Sequence, residues 1–275
     1  MPREDYLSYR GSVTEDVLTT SATLAYLRSL GFGENYLTQS REAVRAWAGK
    51  AFTFEPERAN YCDFCFAELT GVEYDALADG RERCVRCSKS ALRNEEDFVE
   101  TVTEVRKRLE LAFGVRMRMP DRISMVNAKE IARQTGETFV ATPGVDPRVL
   151  GFATKSGNGH YSLSIENGAP KLAAIVTIAH ELVHVWQYMN WNENQIVQHY
   201  GRERTLAIYE GMATWAQVQF LYFIKEFDYG ERQDAYARSR TDEYGEGYRA
   251  FEERYPIDRT GNTCGDSPFR RPLPL

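Results

Sequence analysis

The chain has few of the side chains that most often bind transition metals, since its 275 residues include only four His and five Cys. It also lacks a long hydrophobic run, because no stretch approaches the roughly 18 apolar residues of a membrane span. No apolar segment follows the first five residues, Met1–Asp5, so no signal peptide is expected there. We therefore expect a cytoplasmic location and no membrane partner.

The chain has fewer basic than acidic residues. The chain carries 34 Lys and Arg against 40 Asp and Glu, a net charge of −6, with a pI of about 5.5. Proteins that bind nucleic acid or anionic membranes usually present an excess of positive charge, so neither class is expected. The length is sufficient for one large domain or two smaller ones.

The most informative stretch is His180-Glu181-Leu182-Val183-His184, the pattern H-E-x-x-H, within an apolar run that predicts a buried helix over 171–190. Two His four residues apart lie on one helix face, where both can bind one Zn²⁺. Glu181 can then take a proton from metal-bound water. The alternative is a buried helix whose two His make ordinary hydrogen bonds. A metal is favoured because it gives three buried polar groups a common partner.

A third ligand is expected from a second long helix, predicted over 202–227 after a polar loop at 190–201. Glu210 shares a face with Leu206 and Ala213, which should point inward. A lone buried carboxylate is costly unless it is paired or bound to metal. Two His and one Glu leave a fourth position for water, the arrangement of a hydrolytic zinc site.

Other polar residues are weaker candidates for the third ligand. His199 and Glu203 follow the H-E-x-x-H stretch at a suitable distance. The longer pattern H-E-x-x-H-x-x-G-x-x-H is excluded, because Asn190 stands where its third His would be. His160 begins a predicted strand and is expected to be a surface residue.

Four cysteines follow a second pattern, C-x2-C, an 18-residue gap and C-x2-C. They are Cys62, Cys65, Cys84 and Cys87. Each pair can sit on a tight turn that directs two thiolates to one point, which favours a closed structural zinc site over disulfides. Ala78-Asp79-Gly80 would supply the turn between the two halves. Cys264 is expected to be an unpaired thiol.

The patterns predict an α+β fold in four segments. These are a helical N-terminal extension (1–55), a four-cysteine zinc-binding module (56–92), a catalytic domain (93–255) and a C-terminal surface tail (256–275). Asn94 is expected to cap a helix that runs to Phe113 and carries Val99 and Leu111 among its apolar residues. A small, mostly antiparallel sheet should precede the H-E-x-x-H helix, with strands over 115–119, 123–126, 149–154 and 160–165. An exposed edge strand of that sheet could pair with an extended peptide.

Four stretches resemble the DA-one family, the plant LIM-domain zinc metallopeptidases that restrict organ growth. They are Leu77-Ala78-Asp79-Gly80-Arg81-Glu82-Arg83-Cys84-Val85-Arg86-Cys87, Ala179-His180-Glu181-Leu182-Val183-His184-Val185-Trp186, Glu210-Gly211 and Tyr244-Gly245-Glu246-Gly247-Tyr248-Arg249-Ala250, in the order found in the family. The plant proteins also carry ubiquitin-interacting helices and a fuller LIM region with two zinc modules. This chain has one four-cysteine module and no acidic helix of that kind.

The resemblance implies a zincin-like metallopeptidase domain with a LIM-like module. It implies that His180, His184 and Glu210 bind zinc and that Glu181 is the base. It also suggests that Tyr244, Tyr248 or Arg249 lies near the active site, where a Tyr or Arg donor would stabilise the oxyanion. Family members become active after ubiquitin attachment, but neither that dependence nor the family's substrates carry over to this sequence. A regulatory protein partner is an expectation for this chain.

The function predicted is a zinc-dependent endopeptidase that hydrolyses an intracellular protein or peptide, with one catalytic and one structural Zn²⁺. The alternative is a catalytically silent, zinc-stabilised adaptor. Such an adaptor would bind protein partners through the four-cysteine module and the N-terminal helices. An adaptor needs no general base beside its metal, so the intact H-E-x-x-H stretch favours the enzyme.

Overall fold

A computed structural model describes residues 62–65, 67, 69–77, 81–135, 151–272 and 275. The predicted N-terminal extension and the turn at Ala78-Asp79-Gly80 lie outside these residues. The predicted α+β class is confirmed. In chain order the elements are β1 (Tyr74–Ala76), β2 (Glu82–Cys84), α1 (Val85–Lys89), α2 (Glu95–Phe113), β3 (Arg122–Val126), α3 (Ala128–Thr135), β4 (Gly151–Lys155), β5 (Tyr161–Glu166), α4 (Lys171–Asn190), α5 (Glu193–Tyr200), α6 (Arg202–Phe223), α7 (Phe227–Ser239), α8 (Glu243–Arg254) and a 3₁₀ turn (Pro268–Arg270).

Two small sheets form. β1 and β2 make an antiparallel hairpin, and a three-stranded sheet has the order β3-β5-β4. β4 and β5 are antiparallel, as the sequence predicts, but β3 runs parallel to β5. The expectation of a mostly antiparallel sheet is therefore only half right. β3 and β5 are not joined by a tight turn, because α3 and β4 lie between them in the chain, and a connection of this length allows two neighbouring strands to run parallel.

The alternating run 115–119 is not a strand, contrary to the prediction. The side chains of α2 satisfy its backbone instead: Met117 N–H donates to Glu110 Oε1 at 2.9 Å, and Arg106 Nη1 donates to the Met117 carbonyl at 3.2 Å. The polar run after Asn190 is not a loop either. The Asn192 side chain accepts backbone N–H groups in the first turn of α5 and so caps that helix.

Helix α2 begins and ends where the sequence predicts. The Asn94 side chain accepts the backbone N–H of Asp97 at 2.8 Å, and Gly114 follows the helix in the left-handed region with φ 63°. Two of the apolar residues predicted in this helix are exposed, Val99 at 40 % and Leu111 at 67 %.

The helix α4 has the predicted bounds and lies in the centre of the domain, between the sheet and α6. Helix α6 also packs against α8, and these two helices cross at a pair of glycines. A Cβ on Gly247 would lie 1.9 Å from the Ala207 carbonyl oxygen, and a Cβ on Gly211 would lie 2.4 Å from the Gly247 carbonyl carbon. The small residue Gly211 therefore lies where α6 comes close to α8.

The residues around the four cysteines, here called the Cys module (62–90), pack directly on the helices. Phe64, Leu69 and three of the cysteines share a buried cluster with Ala173 and Val176 of α4 and with residues of α6 and α7. Arg81 and Glu166, both buried, form a two-pronged ion pair in which Arg81 Nη1 lies 2.9 Å from Glu166 Oε2. The Cys module is thus part of the support of the H-E-x-x-H helix.

Part of the segment predicted to be a surface tail, 256–275, is buried: residues 267–269 are buried while most of its other described residues are exposed or half-buried. Phe269 is buried, with its ring centroid 4.7 Å from that of Phe113 and 4.9 Å from that of Trp186. Cys264 is a free thiol, as expected. None of the helices in the described ranges combines the length and the apolar character needed to cross a membrane.

Candidate metal centres

Three predicted ligands meet between α4 and α6. His180 Nε2 lies 3.1 Å from Glu210 Oε2 and 3.0 Å from His184 Nε2, and His184 Nε2 lies 3.3 Å from the same carboxylate oxygen. Their side chains are only 9 to 14 % exposed. The prediction that Leu206 and Ala213 point inward on the same helix face as Glu210 is only partly right. Ala213 is buried, but Leu206 is 50 % exposed.

The hydrogen bonds of the other ring nitrogen, Nδ1, determine which tautomer each imidazole adopts. His180 Nδ1 lies 2.9 Å from Gln217 Oε1, and His184 Nδ1 lies 2.8 Å from Gln187 Oε1. An amide oxygen only accepts hydrogen bonds, so in the neutral imidazoles each Nδ1 carries the proton and each Nε2 presents a lone pair. Two lone pairs and a carboxylate then converge, and a cation between them would satisfy all three.

The separations fit a zinc ion. Ligands at about 2.0 to 2.1 Å from a tetrahedral Zn²⁺ are about 3.3 to 3.4 Å apart, and the three observed separations are 3.0, 3.1 and 3.3 Å. A single shared proton would satisfy only one of the three contacts at a time. His180, His184 and Glu210 could therefore hold a metal ion.

The charges in this cluster support one another. Burial alone would lower the pKa of His184, but the carboxylates of Glu210 and Glu181 raise it to about 9. Burial alone would raise the pKa of Glu210, but His184 and His180 hold it well below its usual range. Glu210 is therefore an anion at neutral pH, as a metal ligand must be, and a proton on His184 competes with metal binding.

Glu181 lies beside the three ligands but is not one of them. Its side chain is buried, and this burial raises the pKa of its carboxyl, an effect that His180 and His184 oppose. The backbone N–H of Ala153 in β4 also lowers the pKa of this carboxyl, so β4 lies next to it. Glu181 therefore lies between the ligand cluster and the edge strand, with a raised proton affinity that suits a general base.

The structure separates the three candidate oxyanion donors. The ring of Tyr244 lies over that of His180 with centroids 6.2 Å apart. Burial, and after it the charge of Glu210, raises the pKa of Tyr244, so its hydroxyl keeps its proton. Tyr248 is fully buried, and its hydroxyl donates to Asp234 at 2.6 Å.

Arg249 is also engaged by backbone carbonyls outside the ligand cluster. Its Nη1 donates to the carbonyls of Arg238 and Arg240, each at 2.7 Å. The structure therefore retains Tyr244 as the candidate donor and corrects the expectation for Tyr248 and Arg249, because their polar atoms are engaged elsewhere in the fold.

The rival ligands lie outside the cluster. His199 is on α5 and Glu203 is in the first turn of α6, and both are exposed. The His160 side chain is 66 % exposed and lies 3.5 Å from Asp121, in agreement with the surface position expected for it.

The four cysteines of the Cys module form a second cluster. Cys65 Sγ and Cys84 Sγ are 3.8 Å apart, and the four sulfurs lie within 4.8 Å of one another. Sulfurs at about 2.3 Å from a tetrahedral Zn²⁺ are about 3.8 Å apart. Backbone N–H groups donate to two of them, Cys84 N to Cys62 Sγ and Cys87 N to Cys84 Sγ, both at 3.4 Å. This cluster could hold a metal such as zinc.

Sequence reasoning missed the glutamines behind the two imidazoles. Gln187 follows His184 by three residues, a spacing that places both on one helix face, so it could have been found. Gln217 follows Glu210 by seven residues on α6, again on one face. Nothing local to Gln217 indicates a partner 37 residues away in the chain.

No protein-family model, no curated protein and no solved structure matches this chain. Its likeness to the DA-one family therefore remains a likeness of motifs. What the two clusters do has to be inferred from their own geometry.

Proposed function

We propose that the chain is a zinc-dependent endopeptidase of the H-E-x-x-H…E type, with a zincin-like catalytic domain related to that of the DA-one family. One observation carries the proposal: two imidazole lone pairs and the Glu210 carboxylate converge beside a fourth, non-ligating carboxylate, Glu181. A metal that served only the fold would be held by a closed set of four ligands, as in the Cys module.

The chain's own residues account for the other parts of a hydrolytic reaction. A zinc ion held by the three ligands would polarise a water and the scissile carbonyl. Glu181 takes the proton of the attacking water and passes it to the leaving amine. The Tyr244 hydroxyl donates to the carbonyl oxygen as negative charge develops there.

The strand β4 supplies a surface for the substrate backbone. Among the described residues it pairs with β5 alone, and it is the edge of the sheet that lies next to Glu181. An extended peptide can add to such an edge through main-chain hydrogen bonds, which bring a peptide bond to the metal with little dependence on side chains. An intracellular protein or peptide is the proposed substrate.

The adaptor alternative has less support. A binding module would present its zinc-stabilised surface to partners, whereas Cys62, Phe64 and Cys65 are buried against the H-E-x-x-H helix. A buried Glu181 with a raised pKa also has no purpose in an adaptor.

A peptide-library assay would test the proposal. The purified chain should cut internal peptide bonds, and mass spectrometry of the products would locate them. A Glu210→Gln variant should lose the cleavage with the Cys-bound metal retained, whereas Glu203→Gln, an exposed change on the same helix, should cut like the parent. If the zinc-loaded parent cuts no peptide, or if Glu210→Gln cuts at the parent rate, the proposed function is wrong.

A further inference from the structure

Helix α8 begins beside the ligand cluster, and its first turn carries Tyr244. The ring of Tyr244 is tilted by only 23° from that of His180, with the two centroids 6.2 Å apart. A tyrosine side chain rotates about two bonds before its ring is placed. The orientation of this ring, and with it the position of the hydroxyl, therefore depends on the side chains that pack against it.

The guanidinium of Arg240 packs on the Tyr244 ring. Its Cζ atom lies 4.1 Å from the ring centroid, inside the limit of about 6 Å for an attraction between a cation and an aromatic face. The same Cζ atom lies 5.6 Å from the ring centroid of Tyr236 on α7. The Arg240 side chain is 20 % exposed, so water weakens the contact little. Arg240 therefore joins the Tyr244 ring to α7.

The carboxylate of Asp242 fixes the guanidinium in this position. Arg240 Nε donates to Asp242 Oδ1 at 2.9 Å and to Oδ2 at 3.0 Å. The same carboxylate caps α8, because its Oδ1 accepts the backbone N–H of Gly245 at 3.2 Å. One carboxylate thus connects the guanidinium of Arg240 to the helical turn that carries Tyr244.

Arg249 fixes the backbone of Arg240. Its Nη1 donates to the carbonyls of Arg238 and Arg240, each at 2.7 Å. The last carbonyls of a helix have no partner within it, and here the end of α7 finds its donor on α8. A Cβ on Gly245 would lie only 2.1 Å from the Arg240 carbonyl oxygen. The backbone at Arg240 is therefore held against α8 at two points.

The attachment of α8 to the domain does not depend on the Arg240 side chain. Gly211 and Gly247 bring α8 into contact with α6, and the Tyr248 hydroxyl donates to Asp234 of α7 at 2.6 Å. Within the described part of the chain, the Arg240 side chain makes its polar and ring contacts with three residues. They are Asp242, Tyr236 and Tyr244. Loss of the guanidinium should therefore release the Tyr244 ring without detaching α8.

We infer that Arg240 and Arg249 are positioning residues for Tyr244. Arg249 fixes the Arg240 backbone, and the Arg240 guanidinium holds the Tyr244 ring beside His180. The inference rests on the proposed function, in which the Tyr244 hydroxyl donates to the scissile carbonyl. It also assigns a role to Arg249, whose guanidinium does not reach the ligand cluster but fixes the segment that orients the candidate donor.

The first variant is Arg240→Met, which keeps a long apolar side chain but removes the guanidinium. Its matched control is Arg254→Met. Arg254 lies at the other end of α8, with its Cζ atom 5.1 Å from the ring centroid of Tyr255. Arg240→Lys restores a cation that can lie over the ring but not the planar fork that holds Asp242. We expect it to recover part of what Arg240→Met loses.

The second variant is Arg249→Met, which removes the donor to the two carbonyls. Arg249 is an exposed residue, so this change tests the inference even if Arg240→Met does not fold. Its effect on the Tyr244 ring should have the same direction as that of Arg240→Met and should be smaller, because the guanidinium of Arg240 is still present.

The first readout is independent of activity. Protein with ¹³C-labelled tyrosine is loaded with zinc, and its aromatic ¹H–¹³C spectrum is recorded. The chain has 16 Tyr, so a Tyr244→Phe variant assigns the signals of that ring. In the parent and in Arg254→Met these signals should be displaced from those of free tyrosine by the neighbouring His180 ring. In Arg240→Met and Arg249→Met they should move toward the free position, with the zinc content unchanged.

The second readout divides the kinetic effect between kcat and KM for a peptide that the parent cleaves. Removal of one oxyanion donor lowers kcat by about 100-fold to 1,000-fold, which sets the loss expected for Tyr244→Phe. Arg240→Met should lower kcat by about 10-fold to 100-fold through displacement of the same donor, with KM nearly unchanged. In a Tyr244→Phe background, Arg240→Met should cause no further loss, because the group that it positions is already absent.

The outcomes separate this inference from the proposed function. The inference is wrong if Arg240→Met matches Arg254→Met in the spectrum, or if it slows the Tyr244→Phe variant as much as it slows the parent. Unchanged Tyr244 signals in Arg249→Met would remove Arg249 from the inference. If the parent cleaves no peptide but the Tyr244 signals move as expected, the proposed function fails while the positioning of the ring stands.

Discussion

The crossing of α6 and α8 gives a sharp test of how Tyr244 is placed. In Gly247→Ala the new Cβ would lie 1.9 Å from the Ala207 carbonyl oxygen and 2.7 Å from Gly211 Cα. An ordinary C···O contact is about 3.3 Å, so α8 would have to move by about 1.4 Å. Both obstructing atoms belong to backbone, which cannot rotate away as a side chain can.

The cost can be estimated from two opposing effects. Replacing Gly by Ala within a helix normally stabilises by about 0.5 to 1 kcal/mol, whereas overpacking a filled site costs about 1 to 3 kcal/mol and occasionally more. We expect a net loss of about 2 kcal/mol or more in the free energy of unfolding, measured by urea denaturation. Tyr244 lies one turn from Gly247, so the shift should also move its ring away from its position over His180. Misplacing a catalytic group by about 1 Å can cost about 100-fold in rate.

A matched control is available in α7. A Cβ on Gly230 would meet its nearest neighbours, two ring carbons of Tyr222, at 3.3 Å, a separation that a small adjustment can accommodate. Gly230→Ala should therefore be neutral or slightly stabilising and should leave the cleavage rate unchanged. A Gly247→Ala protein as stable as the parent would show that the two helices do not touch backbone to backbone.

The remaining predictions concern the metals and one buried acid. Cys62→Ser should reduce the zinc content from two ions per chain to one and lower the melting temperature, because structural zinc contributes folding free energy; unchanged melting would exclude that role. Glu210→Gln should lose the other zinc with the fold retained, whereas His199→Ala should lose none; the reverse result would reassign the ligand. Burial raises the pKa of Glu231 from 4.5 to about 8, so its contribution to stability is present below pH 4.5 and is lost as the pH rises to 8. Glu231→Gln should flatten this dependence in urea titrations, by at most about 5 kcal/mol; parallel curves for the two proteins would contradict the raised pKa.

Features encoded by nearby residues could be predicted from the sequence. The apolar run after Pro170 set both ends of α4, and Asn94 and Gly114 set those of α2. The spacing of His180 and His184 within one helix likewise predicted two of the three residues of the candidate metal site. In each case the deciding contacts lie within one or two helical turns, so the pattern alone is sufficient.

Features that depend on distant partners could not be predicted. The run 115–119 alternates like a strand, but a strand forms only if a neighbouring strand accepts and donates its backbone hydrogen bonds. Here the backbone N–H of Met117 donates to the Glu110 side chain instead. Tyr244 and Tyr248 lie on one face of α8, and the sequence alone does not distinguish which of them lies near the metal ligands. Only the packing shows that one faces His180 and the other Asp234.

The role of Glu181 gives the most direct test of the proposed peptidase. Glu181→Gln keeps the size of the side chain but cannot accept the proton of water. Zinc content, melting temperature and peptide cleavage should be measured on one preparation of this variant beside the parent. We expect two zinc ions per chain, an unchanged melting temperature and a cleavage rate lower by about 100-fold to 10,000-fold. Cleavage at the parent rate with both ions bound would contradict the mechanism, and loss of one zinc would make Glu181 a ligand instead of the base.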